Sequence, residues 1–244
     1  MMAVAPLWFS IPAFIATVAA LGLAGLLLWK DRSSPFNRAV ASVLFATCLI
    51  HLGNGLGLVD GPHALAWRRL ALLAELSQAV ALLYVALNLM TVTFSVVDAG
   101  VRWRAHAIAA LAGVFAVFAC SDLVFVMEAF DSGSRVMKLG PLGHVVYVFL
   151  LLSWALGIAQ LESILRVIRD SLRYRLKFVL IGLGALASFQ IYQASHLLLL
   201  SFWAEGNVLI GSFTTLISLG LVTFGLGRSR WREVRAKVSV SPRA

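Results

Sequence analysis

The chain has 244 residues, 61% hydrophobic and 13% charged, with a formal net charge of +9. Soluble domains carry about 25% charged residues, so this composition and a mean hydropathy of +0.92 exclude an ordinary water-soluble fold and leave a polytopic membrane protein. Cys48 and Cys120 both lie inside apolar runs, which argues against a disulfide framework and for two buried structural thiols.

The N-terminal stretch "MMAVAPLWFSIPAF" has no basic residue before its apolar run and no small-residue cleavage site. It reads as a first transmembrane helix rather than a signal peptide. A span needs about 20 apolar residues, and seven stretches qualify in turn: 6–29, 36–59, 67–97, 105–128, 141–167, 175–203 and 207–227. The segments between them, such as "KDRSSPFNR", "DGPH", "EAFDSGSRVMKLGP", "IRDSLRYR" and "AEGN", are short and rich in turn residues. Short connections favour sequential antiparallel neighbours. The expectation is an all-α integral membrane protein: a bundle of seven transmembrane helices over residues 1–228, then a short basic tail over 229–244.

Lysine and arginine set the orientation. With the N-terminus outside, the inner side holds Lys30, Arg32 and Arg38; Arg102 and Arg104; Arg166, Arg169, Arg173, Arg175 and Lys177; and Arg228, Arg230, Arg232, Arg235, Lys237 and Arg243. The outer side keeps Arg68, Arg69, Arg135 and Lys138, a split of 16 to 4. The expected topology is therefore N-terminus out and C-terminus cytoplasmic. The basic residues mark the cytoplasmic face and suit anionic headgroups, which argues against nucleic acid as a partner. Trp8, Trp29, Trp67, Trp103, Trp203 and Trp231 fall near span ends as an aromatic belt would, while Trp154 is mid-span.

Polar residues are costly in hydrocarbon and mark functional sites by default. At about 1.5 Å per residue they gather beneath the outer surface: His51 and Asn54 in the second span, Glu75 and Gln78 in the third, Asp122 in the fourth, His144 in the fifth, and Gln190, Tyr192, Gln193 and His196 in the sixth. One reading is hydrogen-bonding glue between helices. The other is a polar pocket open to the outside, binding a small-molecule or lipid-like ligand. Gly53, Gly55 and Gly57 fit either close packing or a movable pocket wall, and Gly182 and Gly184 suggest close packing.

No cofactor is expected. His51, His144 and His196, with the carboxylates of Glu75 and Asp122, are the candidate ligands for a divalent metal, without the local spacing of a metal motif. His51 with His196 is the candidate axial pair for a haem. Retinal is excluded by the absence of a lysine in the seventh span. Neither Gly-x-Ser-x-Gly nor His-Glu-x-x-His occurs, so no hydrolase is indicated. A small transporter is an alternative, weakened by the lack of a visible internal repeat.

Between the fifth and sixth spans, Arg166, Arg169, Arg173, Arg175 and Lys177 form a basic elbow, with Glu162 four residues before Arg166 in the order that favours a helical ion pair. Leu161-Glu162, Arg166, "RYRLKF", "IGLGA", Phe189, Tyr192, Ser195 and the paired leucines after them resemble the N-terminal membrane region of sensor histidine kinases from PEP-CTERM/exosortase systems, most sharply over residues 161–200. The resemblance implies a sensor module of the bacterial inner membrane in a two-component system, acting with a kinase or other signalling partner or as a homodimer. It also implies an output arm formed by the elbow and the tail, including Arg230, Arg232 and Arg235. The sequence holds neither a His-box nor an ATP-binding glycine motif, so catalysis is not expected of it.

Overall fold

The computed structural model describes residues 7–94, 99–129, 135–167, 170–203 and 206–228. Within them lie seven helices: α1 (Ile11–Lys30), α2 (Pro35–Val59), α3 (Ala64–Phe94), α4 (Ala99–Phe118), α5 (Pro141–Val167), α6 (Asp170–Leu200) and α7 (Gly206–Arg228). All seven provide a segment long and apolar enough to cross a membrane.

Local chemistry sets the ends. Proline opens α2 and α5, where its missing N–H is harmless and its fixed φ suits the first turn. Ser34 caps α2, its hydroxyl accepting from Asn37 N–H at 3.4 Å. At the other end, Asp60 N–H closes on the Leu56 carbonyl at 2.7 Å.

The fourth span differs from the expected 105–128. Its helix stops at Phe118, where the Ser121 hydroxyl takes the Phe118 carbonyl at 2.6 Å. The chain turns, then enters strand β1 (Phe125–Ala129), antiparallel to β2 (Arg135–Leu139) with Phe125 opposite Leu139 and Met127 opposite Met137. A third extended segment joins β2: Leu139 N–H donates to Ser201 O at 2.9 Å and Trp203 N–H to Met137 O at 3.0 Å. Residues 201–203, expected at the end of the sixth span, are thus sheet-like. Ser201 carries a φ of 58°, a left-handed conformation that stops α6 and turns the chain back toward β2. This small cap makes one end of the bundle the hairpin end. Cys120, expected to be buried, is exposed in its turn, while Cys48 is buried.

The expected basic elbow is mostly helix. α5 runs to Val167 and α6 begins at Asp170, so Arg166 closes one helix while Arg173, Arg175 and Lys177 belong to the next. The tail, with Arg230, Arg232 and Arg235, lies outside the described residues, as does Arg169.

Six helices form a closed ring: α1 packs on α2, α2 on α3, α3 on α5, α5 on α6, α6 on α7, and α7 on α1. α4 rides outside, against α3, and its apolar window is only 11% buried, against 72% for the window in α3. The glycines sit where helices approach closely. A Cβ on Gly53 would meet the Trp67 carbonyl oxygen at 2.7 Å, and one on Gly182 would meet Val222 at 2.7 Å and the Ser218 carbonyl oxygen at 2.8 Å. Because α2 stays helical through Gly53, Gly55 and Gly57, packing accounts for them.

Away from the hairpin end the described interior is mainly apolar, with Leu44, Leu82, Ile164, Leu183 and Val222 all buried and Asn37 bonded to the Asp31 carbonyl. Toward the hairpin end the buried residues include Arg68, Glu75, Gln78, His51, Asn54 and Gln193.

Candidate functional site: a closed polar core

Arg68 lies in the second turn of α3 and Glu75 seven residues later. Seven residues are close to two helical turns, so both side chains project from one face. The two are essentially inaccessible, 3% and 0% exposed. Arg68 Nη2 lies 2.7 Å from Glu75 Oε1. The other guanidinium nitrogen, Nη1, donates to Asn54 Oδ1 of α2 at 3.2 Å. From α5, Tyr147 accepts a hydrogen bond from Arg68 Nη2 and donates its own hydroxyl to Glu75 Oε2 at 3.0 Å. Above this network the Trp203 ring centroid lies 3.8 Å from the guanidinium carbon, and that of Phe125 lies 5.5 Å away. A desolvated cation over an aromatic face gains about 2 kcal/mol or more.

One arginine therefore gathers α2, α3, α5, β1 and the segment ending at Trp203. Removing a charge pair from water costs several kcal/mol per ion, which only good geometry and further hydrogen bonds offset. Tyr147 and Asn54 provide those bonds.

Below, the network continues through neutral groups. Gln78 Nε2 donates to Thr47 Oγ1 at 2.8 Å, joining α3 to α2. His51 Nε2 meets Thr215 Oγ1 at 2.8 Å, joining α2 to α7, and Ser212 Oγ lies 3.5 Å from His51 Nδ1. Gln190 and Gln193 are buried on α6. At the rim, His196 Nδ1 and Asn207 Nδ2 are 3.2 Å apart, while His144 contacts Gly140 O at 3.0 Å and Ser201 Oγ at 3.4 Å.

Of the residues expected to line an outer pocket, His51, Asn54, Glu75, Gln78, Gln190 and Gln193 are buried, and the bonds of His51, Asn54, Glu75 and Gln78 go to Thr215, Arg68, Tyr147 and Thr47 rather than to one another. Two expectations are corrected. Tyr192 is 47% exposed on the outer surface of α6, beside Phe189 and His196, because it lies across the helix from the buried glutamines. Asp122 is 89% exposed in the turn after α4, paired with Arg69, because α4 ends before reaching it. His51, His144 and His196 have no partner in common, and among the described residues no three His, Cys, Asp or Glu side chains group to hold a metal.

Sequence reasoning missed Arg68, Tyr147 and Trp203 as members. Arg68 was counted with the loop charges and Trp203 with the interfacial belt, yet the two stack together. The available signal was the seven-residue interval from Arg68 to Glu75. At the other end of the bundle, the Glu162–Arg166 pair forms on α5 and is exposed, as is Lys177. The side chains of Arg173 and Arg175 lie outside the description.

No protein-family model matches the chain, and no curated protein matches it significantly.

Proposed function

We propose that the chain is a sensory or accessory module of the bacterial inner membrane, N-terminus out and C-terminus in, in which the Arg68–Glu75–Tyr147 core is the responsive element. The observation that carries this reading is the uneven distribution of buried polar side chains. Among the described residues most of them lie in the hairpin half of the ring, while the other half is filled mainly by Leu44, Leu82, Leu183 and Val222, with Asn37 bonded to the Asp31 carbonyl at its edge. A carrier or channel needs polar contacts continuing toward both faces. A receiver needs them at one face, coupled to rods that reach the other.

The coupling elements are in place. Trp203 covers Arg68 and follows directly on α6. α6 has 31 residues, about 46 Å of helix, and ends at the basic elbow. A signal that lifts Trp203, or competes for Arg68, would shift the relation of α6 to α3 and α5. Such a signal acts only through different affinity for two arrangements of the bundle. Buried groups without a hydrogen-bond partner, Gln78 Oε1, Gln190 Oε1 and Trp154 Nε1, supply bonds that a second arrangement could make. The resemblance of residues 161–200 to exosortase-system sensor kinases favours signalling as the output, with a kinase or another signalling protein as partner and no catalysis by this chain.

The test compares transcripts of exosortase and polysaccharide genes in wild type, a deletion strain, and a strain carrying Arg68→Met with Glu75→Leu at matched protein level. The expected profile of the double variant is that of the deletion. A double variant that behaves as wild type would remove the core from the signalling route. A deletion without effect on these transcripts would overturn the signalling reading itself.

A further inference from the structure

A cleft on the outside of the ring, where α4 leans on α3 beside α2, is separate from the polar core. Its volume is about 440 Å³, and its lining includes Ala39 and Ser42 of α2, Tyr84 of α3, and Ala109, Gly113 and Ala116 of α4. Small residues between membrane helices ordinarily bring the backbones together. Here α4 stands off instead: a Cβ added to Gly113 would meet no atom within 4 Å. Unfilled apolar space forfeits dispersion contacts, and a cleft on the lipid-facing side is open to the membrane's own chains.

Basic residues lie beyond one end of the cleft lining. Arg102, His106, Ala109, Gly113 and Ala116 recur at steps of three and four along α4 and share one face. His106 Nδ1 bonds the Tyr84 hydroxyl at 2.8 Å, which fixes this face against α3. Arg102 stands one turn nearer the start of α4. On α2, Arg38 stands one turn before Ser42, whose hydroxyl donates to the Arg38 carbonyl at 2.9 Å. Both arginines are exposed. Each belongs to the first turn of its helix, and neither first turn holds an acidic residue. The positive dipole ends of both helices lie at that same level. From Arg102 to Ala116 the rise is about 21 Å, enough for a headgroup and most of one leaflet of a bilayer whose core is about 30 Å thick.

We propose that this cleft binds one anionic phospholipid, its acyl chain along Ala109, Gly113 and Ala116 and its phosphate at the level of Arg38 and Arg102. The apolar length of the cleft selects a lipid over free phosphate. The paired arginines select an anionic headgroup.

The test is native mass spectrometry of the full chain released from detergent containing equal amounts of phosphatidylglycerol and phosphatidylcholine. The expected result is retention of one phosphatidylglycerol over phosphatidylcholine by about tenfold or more, the scale of two arginines near an anionic headgroup. Gly113→Leu fills the cleft and is expected to abolish that retention. Gly22→Leu, on exposed α1 surface where an added Cβ also meets nothing within 4 Å, should leave it unchanged. Arg38→Gln with Arg102→Gln should remove the headgroup preference while a lipid still binds, which gives a second readout should Gly113→Leu fail to fold. Equal retention of the two lipids in the wild type would overturn the proposal. So would a folded Gly113→Leu variant that retains the lipid, or one that only converts a dimer to monomer, making the occupant a second copy of the chain.

Discussion

The two halves of the ring solve one packing problem with opposite chemistry. Away from the hairpin end, Leu44, Leu82, Ile164 and Val222 interlock as apolar side chains. Near it, the same helices are held by an arginine, a glutamate, a tyrosine and an asparagine. Apolar contacts degrade gradually, since each lost methylene removes a modest increment. A buried charge network fails when one member leaves, because the survivor stays desolvated and unpaired. The hairpin half is therefore the half in which a single substitution should act abruptly rather than by degrees.

The sharpest way to break this comparison is at Glu75. Glu75→Ala leaves the Arg68 guanidinium buried, and the expected loss is about 3–5 kcal/mol, read as a large drop in thermal midpoint in nanodiscs. Arg68→Met combined with Glu75→Leu is expected to recover most of it, since an apolar pair of similar volume often replaces a buried ion pair without loss. A double variant no better than Glu75→Ala would mean that the pair acts through shape rather than charge.

In the apolar half the matching experiment has a different sign structure. Leu82→Ala should cost about 2–5 kcal/mol through the cavity it leaves. Gly157 lies beneath Leu82, and a Cβ placed on it would meet Leu82 Cδ2 at 2.7 Å. Gly157→Ala alone should therefore destabilise by about 1–3 kcal/mol through overpacking. In combination the two should partly cancel, because the new methyl enters the space that leucine vacated. Additive losses would show that α3 and α5 do not interlock there.

Between these lies the neutral bond from α2 to α7. His51→Leu should cost about 0.6–2 kcal/mol, the range for hydrogen bonds between membrane helices. Thr215→Val should cost a similar amount, and the double variant little more than either, because both remove the same 2.8 Å contact. Independent effects would assign His51 to partners other than Thr215.

The number and order of the spans were legible because hydrocarbon demands about 20 apolar residues whatever the neighbours do. So was the collection of polar residues at one depth, which follows from a rise of about 1.5 Å per residue. Their closure into a core was not legible, because it depends on the rotation of each helix, which packing sets. Tyr192 and Gln193 are adjacent in sequence, yet one is 47% exposed and the other 4%. Arg68 was hardest to read. An arginine near a span end ordinarily reaches toward the interface, and what turns this one inward are Asn54, Tyr147, Phe125 and Trp203, contributed by four other elements. The hairpin was hidden for a related reason: "FVM" continues the apolar run of the fourth span, "RVMKL" lies in a charged connection, and their pairing with each other and with residues 201–203 is set by distant parts of the chain.

The smallest expected effect lies at the hairpin end but outside the core. Asp60 sits between α2 and α3, where it accepts from Trp67 Nε1 at 3.0 Å and meets His63 Nδ1 at 3.0 Å. The Trp67 indole N–H, and after it the His63 contact, hold the Asp60 carboxyl below the usual carboxylate range. A carboxylate with a lowered folded-state pKa contributes stability that is fully present above its unfolded value, about 3.9, and is lost as pH falls through the folded value. Wild type should therefore lose thermal midpoint slightly faster than Asp60→Asn as pH drops below about 4, with the two converging at the acid end. Asp60 is partly exposed, so screening keeps the difference small, and carbon NMR of the carboxyl is the better measurement. Trp67→Phe removes the indole donor and should raise the titration midpoint toward the ordinary value. A midpoint that stays low in Trp67→Phe would assign the shift to His63 and detach the α2–α3 turn from the indole that anchors it. Because α2 and α3 also carry Asn54, Arg68 and Glu75, a loosened turn that left the core unchanged would show that the charge network positions these two helices without help from their connection.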